Sequence, residues 1–187
     1  MKNIIEKAKN IRLAIFDVDG VLTNGKLIYG PDGLEYKEFH VHDGQGIKFL
    51  QATGVEVAII TACQSKAITK RMQDLGIKHV YQGNLDKIPA FEDLKQKLNL
   101  HNEQIAYMGD DLPDLPLILQ AGLGATVANA PAIIQQHAAW IAKAPGGHGA
   151  AREICELIMQ AQQTYDAIIN GYIERARPLT VNEASNS

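Results

Sequence analysis

The segment Ile11-Arg12-Leu13-Ala14-Ile15-Phe16-Asp17-Val18-Asp19-Gly20 runs almost wholly apolar to Phe16 and then breaks into two carboxylates and a glycine. An apolar run of this kind reads as a strand buried on both faces, the type found in parallel sheets covered by helices. Open α/β sheets gather their ligands beyond the carboxyl ends of the strands, so Asp17 and Asp19 fall where such a sheet keeps its chemistry. Alternate strand residues share a side. The two carboxylates therefore meet one rim, and Gly20 lets the chain turn sharply away. A metal ion and an attacking oxygen both suit that geometry. Asp before Gly also favours plain turns, so the downstream sequence has to decide.

Downstream, strand-like and helix-like stretches alternate. Val55–Ile60 reads as a strand, followed by a helix over Ser65–Leu75 with Ile68, Met72 and Leu75 on one face and Gly76 closing it. Lys78–Gln82, Gln104–Met108 and Leu123–Val127 read as strands. Lys87–Leu98 and Leu112–Gln120 read as helices. A helix from Pro131, a short strand around Trp140 and a last helix from about Gly149 to Ile169 complete the order. This alternation predicts a doubly wound, Rossmann-like α/β fold: a mostly parallel sheet with helices on both faces and right-handed crossovers. With 187 residues and 46% hydrophobic content, a single domain over residues 1–172 is expected. The polar stretch 173–187, which contains Pro178, is expected to be a mobile tail.

One insertion interrupts the alternation after the first strand. Lys26–Tyr29 and Leu34–Val41 flank Gly30-Pro31-Asp32-Gly33, which predicts a β-hairpin over about residues 25–41. Leu34, Tyr36, Glu38 and His40 should face one way, and Glu35, Lys37, Phe39 and Val41 the other. Leu27, Tyr29, Leu34, Tyr36 and Phe39 are more large apolar groups than a lone hairpin shows to water, which predicts oligomerisation through it. The alternative is that the hairpin folds onto its own domain.

Several classes of function are excluded on composition. A net charge of −3 and the lack of any Lys/Arg block do not suit nucleic acid. Cys63 and Cys155 lack paired spacing, so neither a zinc site nor a disulfide framework is indicated, and a reducing cytoplasm fits. The N-terminus has no signal-peptide core, and no stretch reaches membrane-spanning length.

Four sets of residues fall at successive strand ends. They are Asp17 with Asp19, then Thr61, then Lys87 at the start of the helix after the third strand, and finally Gly109-Asp110-Asp111. All should converge on one crevice. Carboxylates from two strand ends make an oxygen-rich pocket of the kind that holds Mg²⁺ beside a substrate phosphate. Lys87 and the Thr61 hydroxyl supply a cation and a donor for phosphoryl oxygens. Together they describe a phosphoryl-transfer site. Taken singly, Lys87 also reads as a solvated cation, Thr61 as an N-cap, and Asp111 or Asp114 as an acid favoured at a helix N-terminus.

These motifs resemble those of the haloacid dehalogenase-like hydrolase superfamily, with Gly109-Asp110-Asp111-Leu112-Pro113-Asp114 as the last of the four. The hairpin insert, Asp17-Val18-Asp19-Gly20-Val21-Leu22-Thr23, Asp43-Gly44-Gln45-Gly46-Ile47, Gln82-Gly83-Asn84-Leu85-Asp86-Lys87 and the segment from Ala144 to Glu153 narrow the likeness. They resemble the 3-deoxy-D-manno-octulosonate 8-phosphate phosphatases, which lack a cap domain. The resemblance implies Asp17 as a nucleophile forming an aspartyl phosphate, Asp19 as general acid and then base, and Mg²⁺ held by Asp17, the Asp19 carbonyl and Asp110. It further implies Thr61, the Ala62 amide and Lys87 at the phosphoryl oxygens, Asp114 orienting Lys87, and Asp111 behind the site. Gly44, His148 and Arg152 are implied near the substrate, a homotetramer is implied through the hairpin, and the C-terminal region is implied to reach a neighbouring subunit's site.

Two departures stand out. The family usually follows the strand-ending Thr with Gly-Arg, where this chain has Ala62-Cys63, and an Arg is common where this chain has His42. Loss of a guanidinium removes a charge-assisted, forked contact to an anion, for which Gln64, Lys66 or Arg71 are candidate substitutes. The expected activity is hydrolysis of the octulosonate phosphate for lipopolysaccharide precursor synthesis. The alternatives are a phosphatase for another acidic nonulosonate phosphate, a broad phosphomonoesterase, or a catalytically silent oligomeric binding module. The Gly-rich stretch before the last helix reads either as an anion-binding loop over the sugar or as an ordinary connection.

Overall fold

A computed structural model describes residues 2–176. Helix α1 (Lys2–Lys9) leads into β1 (Leu13–Phe16), all four of whose residues are buried. A two-stranded hairpin, β2 (Ile28–Tyr29) and β3 (Glu35–Tyr36), precedes α2 (Val41–Ala52). Then follow β4 (Glu56–Ile60), α3 (Lys66–Leu75), β5 (His79–Tyr81), α4 (Ile88–Lys97), β6 (Ile105–Met108), α5 (Leu115–Gln120), β7 (Leu123–Thr126), α6 (Ala132–His137), β8 (Trp140–Ile141), α7 (Ala150–Ala161) and α8 (Tyr165–Arg175). The main sheet has the order β5-β4-β1-β6-β7-β8 with every pair parallel. This is the doubly wound α/β fold with a hairpin insert that the alternation predicts.

The central position of β1 explains its composition. It is hydrogen-bonded on both edges, Ala14 standing beside Val57 and Ala106, and helices cover both faces, so every side chain is apolar. Ile15 and Phe16 are at most 1% exposed, and each fully buried side chain of this size stabilises by roughly 1.5–3 kcal/mol. Asp17 still donates its N–H to the Met108 carbonyl (2.9 Å). The first carboxylate is thus held in register at the sheet's rim, next to the gap between β1 and β6 where the strand order reverses.

Four parts of the structure depart from the sequence reading. The hairpin strands are only two residues each, and the alternation of faces persists as far as Phe39 but not beyond it: Val41, expected to face inward, is 76% exposed, and His40 is partly buried. Leu34, Tyr36 and Glu38 are exposed while Glu35, Lys37 and Phe39 turn inward. Helix α2 begins at Val41, where the second arm of the hairpin was expected to continue. Gly44 and Gly46 give this segment poor intrinsic helix propensity, and tertiary packing overrides it: a Cβ on Gly46 would stand 3.1 Å from the Arg152 Cα of α7, so glycine lets the two helices approach closely. The single helix expected over about 149–169 is two helices, α7 and α8, broken where Gln163 takes a left-handed φ of 58°. Helix α1 was not anticipated either; Ala8 is fully buried, and Gln162 Nε2 donates to the carbonyl of Ile11 (2.7 Å). Of the expected mobile tail, residues 173–175 belong to α8, and 177–187 lie outside the described residues. No described helix is long and apolar enough to cross a membrane.

Candidate active site

Asp17, Asp19, Thr61, Ala62, Lys87, Asp110, Asp111 and Asp114 line one cavity of about 360 Å³, with Cys63 on its wall. The topology explains the convergence. Asp17 follows β1, Thr61 follows β4, Lys87 is the N-cap residue of α4 beyond β5, and Asp110 follows β6, so parallel strands deliver all four to the same carboxyl edge.

At the floor of the cavity, Lys87 Nζ donates to Asp17 Oδ1 (2.7 Å) and to Asp114 Oδ1 (2.6 Å). All three side chains are at most 7% exposed. Asp114 is saturated: its Oδ1 also accepts from the Tyr107 hydroxyl, and its Oδ2 accepts from the backbone N–H groups of Asp110 (3.0 Å) and Asp111 (3.2 Å). Asp114 therefore orients Lys87 and shapes the turn carrying Asp110. Burial lowers the Lys87 ammonium's affinity for its proton, but Asp17 and Asp114 outweigh that effect and raise its pKa. Tyr107, deep in β6, is driven well above the usual phenol range by burial and by Asp114, so it stays a donor. Asp111 is exposed and caps the turn by accepting from the Leu112 N–H (2.7 Å).

Carboxylate oxygens of Asp17, Asp110 and Asp114 lie within 4.8 Å of one another. Burial first, then Asp114, pushes Asp17 up to about 7; burial first, then Asp17, does the same to Asp110. Three carboxylates facing one ammonium leave two negative charges uncompensated, which suits a divalent cation. With Asp114 occupied by four donors, Asp17 and Asp110 are the carboxylates available to it, an all-oxygen set of the kind a hard dication takes. Gly20 makes room for this arrangement. Its φ of +96° belongs to the left-handed region, and a Cβ there would stand 2.1 Å from Asp110 Oδ2.

Thr61 is 1% exposed and its Oγ1 accepts from the Cys63 N–H (3.2 Å), which leaves the hydroxyl hydrogen free for a ligand oxygen. Asp19 lines the cavity with its side chain one-third exposed and accepts from Lys37 Nζ of the hairpin (2.5 Å). Lys37 and Tyr107 are the site residues that sequence reasoning missed. The signals were a lysine on the inward face of an apolar hairpin and a polar-tipped Tyr between Ala106 and Met108.

The remaining candidates are placed elsewhere. Gly44 is buried in α2 against Arg71 and Leu75. Arg152 stacks over Phe49 (5.0 Å) and pairs with Glu156 (2.5 Å). His148 is exposed, its ring 6.5 Å from that of His40. The loop before α7 is not free to bind an anion through its amides: the N–H groups of Gly149 (3.2 Å) and Arg152 (2.8 Å) donate to the buried Asp43, Gly146 N–H donates to Asn129 Oδ1, and Gly147 N–H donates to the Val21 carbonyl. An acid of α2 already occupies this helix N-terminus. Arg71 donates to the His40 carbonyl (3.3 Å) and stands over Phe39, and neither it nor Gln64 nor Lys66 lines the cavity.

Fold and site together define a haloacid dehalogenase-like hydrolase, and a family model of that description matches residues 76–154. The chain is 44% identical over 164 residues to the 3-deoxy-D-manno-octulosonate 8-phosphate phosphatase KdsC of Escherichia coli K12, a match covering 88% of this chain and 87% of that protein. Two crystal structures are similarly close. A probable YrbI family phosphatase from Pseudomonas syringae superposes with a TM-score of 0.91 at 48% identity, over 92% of this chain and 98% of that one. The Moraxella catarrhalis 3-deoxy-D-manno-octulosonate 8-phosphate phosphatase, solved with magnesium, phosphate and KDO, has a TM-score of 0.90 at 42% identity, over 92% and 99%. The chain belongs to the 3-deoxy-D-manno-octulosonate 8-phosphate phosphatase family and is a phosphoric monoester hydrolase.

Proposed function

We propose that this enzyme hydrolyses 3-deoxy-D-manno-octulosonate 8-phosphate to the free sugar acid and phosphate, in the cytoplasm, for lipopolysaccharide precursor synthesis. The observation that carries the reading is the buried Asp17–Lys87–Asp114 cluster with Asp110 beside it at the sheet's carboxyl edge. Likeness to KdsC over 88% of the chain points to the substrate.

In this mechanism an Asp17 carboxylate oxygen attacks phosphorus, and the bond from phosphorus to the sugar oxygen breaks as Asp19 gives that oxygen a proton. Asp19 then takes a proton from water, the water oxygen attacks phosphorus, and the bond to Asp17 breaks to release phosphate. Thr61 and the Ala62 amide hold non-bridging oxygens while Lys87 offsets the charge that develops on them. Asp17, Asp110 and the Asp19 carbonyl would hold Mg²⁺, which when bound lowers the repulsion between the carboxylate and a dianionic phosphate. Phosphate release measured across a panel of sugar phosphates, with and without Mg²⁺, tests the reading. The octulosonate ester should react at least about tenfold faster than simple phosphomonoesters, chelation should reduce turnover to background, and Mg²⁺ should restore it. Such a ratio needs only about 1.4 kcal/mol of differential transition-state binding.

One observation favours a second reading. Among the described residues, Lys87 is the one cation lining the cavity, and it is already shared between two carboxylates, while Cys63 stands where the family carries Arg. A sugar carboxylate therefore finds no unshared cation on the described cavity lining. Equal rates for several acidic sugar phosphates in the panel would favour a broader phosphatase.

Assembly into a homotetramer through the hairpin belongs to the same proposal. Leu27, Tyr29, Leu34 and Tyr36 are 52–64% exposed, an apolar face more typical of an interface than of a monomer's surface. A Tyr29→Glu/Leu34→Glu variant should sediment as a smaller species than the wild-type oligomer. A monomeric wild type would remove this part of the reading.

A further inference from the structure

The hairpin is joined to the catalytic loop by one side chain. Lys37 follows β3 on the hairpin's inward face, and its side chain is 2% exposed. Its Nζ donates to Asp19 Oδ1 (2.5 Å) and forms an ion pair with Glu35 Oε1 (2.6 Å). Lysine is among the residues least often fully buried unless paired, and a buried ion pair is a weak source of stability compared with apolar side chains of similar volume. An apolar residue at this position would pack a hairpin at least as well. What the ammonium adds is a directed bond to one oxygen of Asp19, the side chain assigned above to proton transfer. That bond spans 18 residues of sequence and orients an otherwise one-third exposed carboxylate.

We propose that Lys37 is a positioning residue that holds Asp19 Oδ1, so that the second carboxylate oxygen faces the departing sugar oxygen. The inference rests on the reading of Asp19 as the proton donor. Geometry gives it a physical basis. A proton donor must sit within hydrogen-bond reach of the oxygen it serves, and an exposed carboxylate at the mouth of an open cavity samples several rotamers unless something fixes it. Glu35 is paired with the same ammonium, and both residues lie on the inward half of the alternation whose outward half carries Leu34 and Tyr36. The same strand thus presents one face to the solvent or a partner and the other to the reacting centre.

The test compares Lys37→Met and Lys37→Arg with the wild type in the Mg²⁺-loaded enzyme. Single-turnover release of the alcohol is followed from two esters, the sugar phosphate and 4-nitrophenyl phosphate. The sugar oxygen is a poor leaving group that needs a proton, while the nitrophenolate departs without one. Since a positioned general acid contributes typically about 10²–10⁴-fold, loss of its positioning in Lys37→Met should slow release from the sugar phosphate by about 10- to 100-fold, with KM changed less than about threefold. Release of nitrophenolate should slow by less than about threefold, and Lys37→Arg should recover most of the rate on the sugar phosphate. Equal losses on both esters, no loss on either, or an Arg variant as slow as the Met variant would overturn the inference. If the wild type itself released no sugar, the functional reading above would fail and this inference with it; an active wild type with an unaffected Lys37→Met removes this inference alone.

Discussion

Asp17→Asn should abolish phosphate release while leaving the fold in place. The substitution is nearly isosteric and takes away the charge of the oxygen that attacks in the proposed mechanism, and losses of a nucleophile are among the largest effects a single residue can have on turnover. A fall of at least about a thousandfold is expected, measured as phosphate release at saturating Mg²⁺. The fold should survive because Lys87 keeps Asp114 as a partner at 2.6 Å, and Asp114 keeps Tyr107 and two backbone N–H groups. Burial first, then Asp17, pushes Asp110 up to about 7, and removing Asp17's charge relieves the second of these. Thermal unfolding of the metal-free variant should therefore match or exceed the wild type. Phosphate release persisting within a factor of a few of wild type would remove the covalent mechanism.

Lys87→Met should have the largest effect on stability. The methionine keeps much of the chain's length and loses the ammonium, leaving Asp17 and Asp114, 5% and 2% exposed, facing one another without a cation. Breaking a buried ion pair by removing one partner costs about 3–5 kcal/mol. At about 2–4 °C per kcal/mol for a chain of this size, the melting temperature should drop by about 6–20 °C. Activity should fall as well, since the proposed mechanism uses the same ammonium to offset charge on the phosphoryl oxygens. The pairing of Lys87 with Asp114 as well as Asp17 distinguishes this outcome from that of a surface lysine, whose loss is usually worth within about 0.5 kcal/mol. A melting temperature within a degree or two of wild type would show that Lys87 is not the counter-charge for this cluster. The double variant Lys87→Met/Asp17→Asn should recover part of the lost stability, because it removes one of the two stranded charges while leaving Asp114 to accept from Tyr107 and two backbone N–H groups.

Much of the cavity floor was legible in the sequence. Asp17, Thr61, Lys87 and Asp110 each end an apolar strand or open the helix behind it, and parallel strands place such ends together whatever the loops do. Asp114 as Lys87's partner came only from the family resemblance, since its place in the turn after Asp110 equally suits an acid at a helix N-terminus, and the 2.6 Å contact decides it. Harder to read were residues whose role depends on contact between distant elements. Asp43 lies at the start of a helix that glycines disguise, and its carboxylate caps another helix more than a hundred residues away. Arg152 reads as a substrate-binding cation, yet Glu156 one turn along and Phe49 of α2 hold it. The Gly-rich loop before α7 reads equally as an anion cradle or an ordinary connection, and only its partners show that its amides are already used by Asn129, Val21 and Asp43. In each case the side chain's chemistry was plain and its partner was not.

Periodicity and strand-end chemistry, both local properties of the chain, determined by themselves the α/β alternation, the hairpin insert and the acidic rim with its lysine. Only the folded chain decided which of three clustered carboxylates is saturated by donors and which two remain for a cation, and that a hairpin lysine reaches Asp19. The division follows from range. An apolar run buries its strand wherever its neighbours lie, but a buried charge is defined by whatever shares its few ångströms of low-dielectric space, and that company is assembled only when strands and helices far apart along the chain pack together.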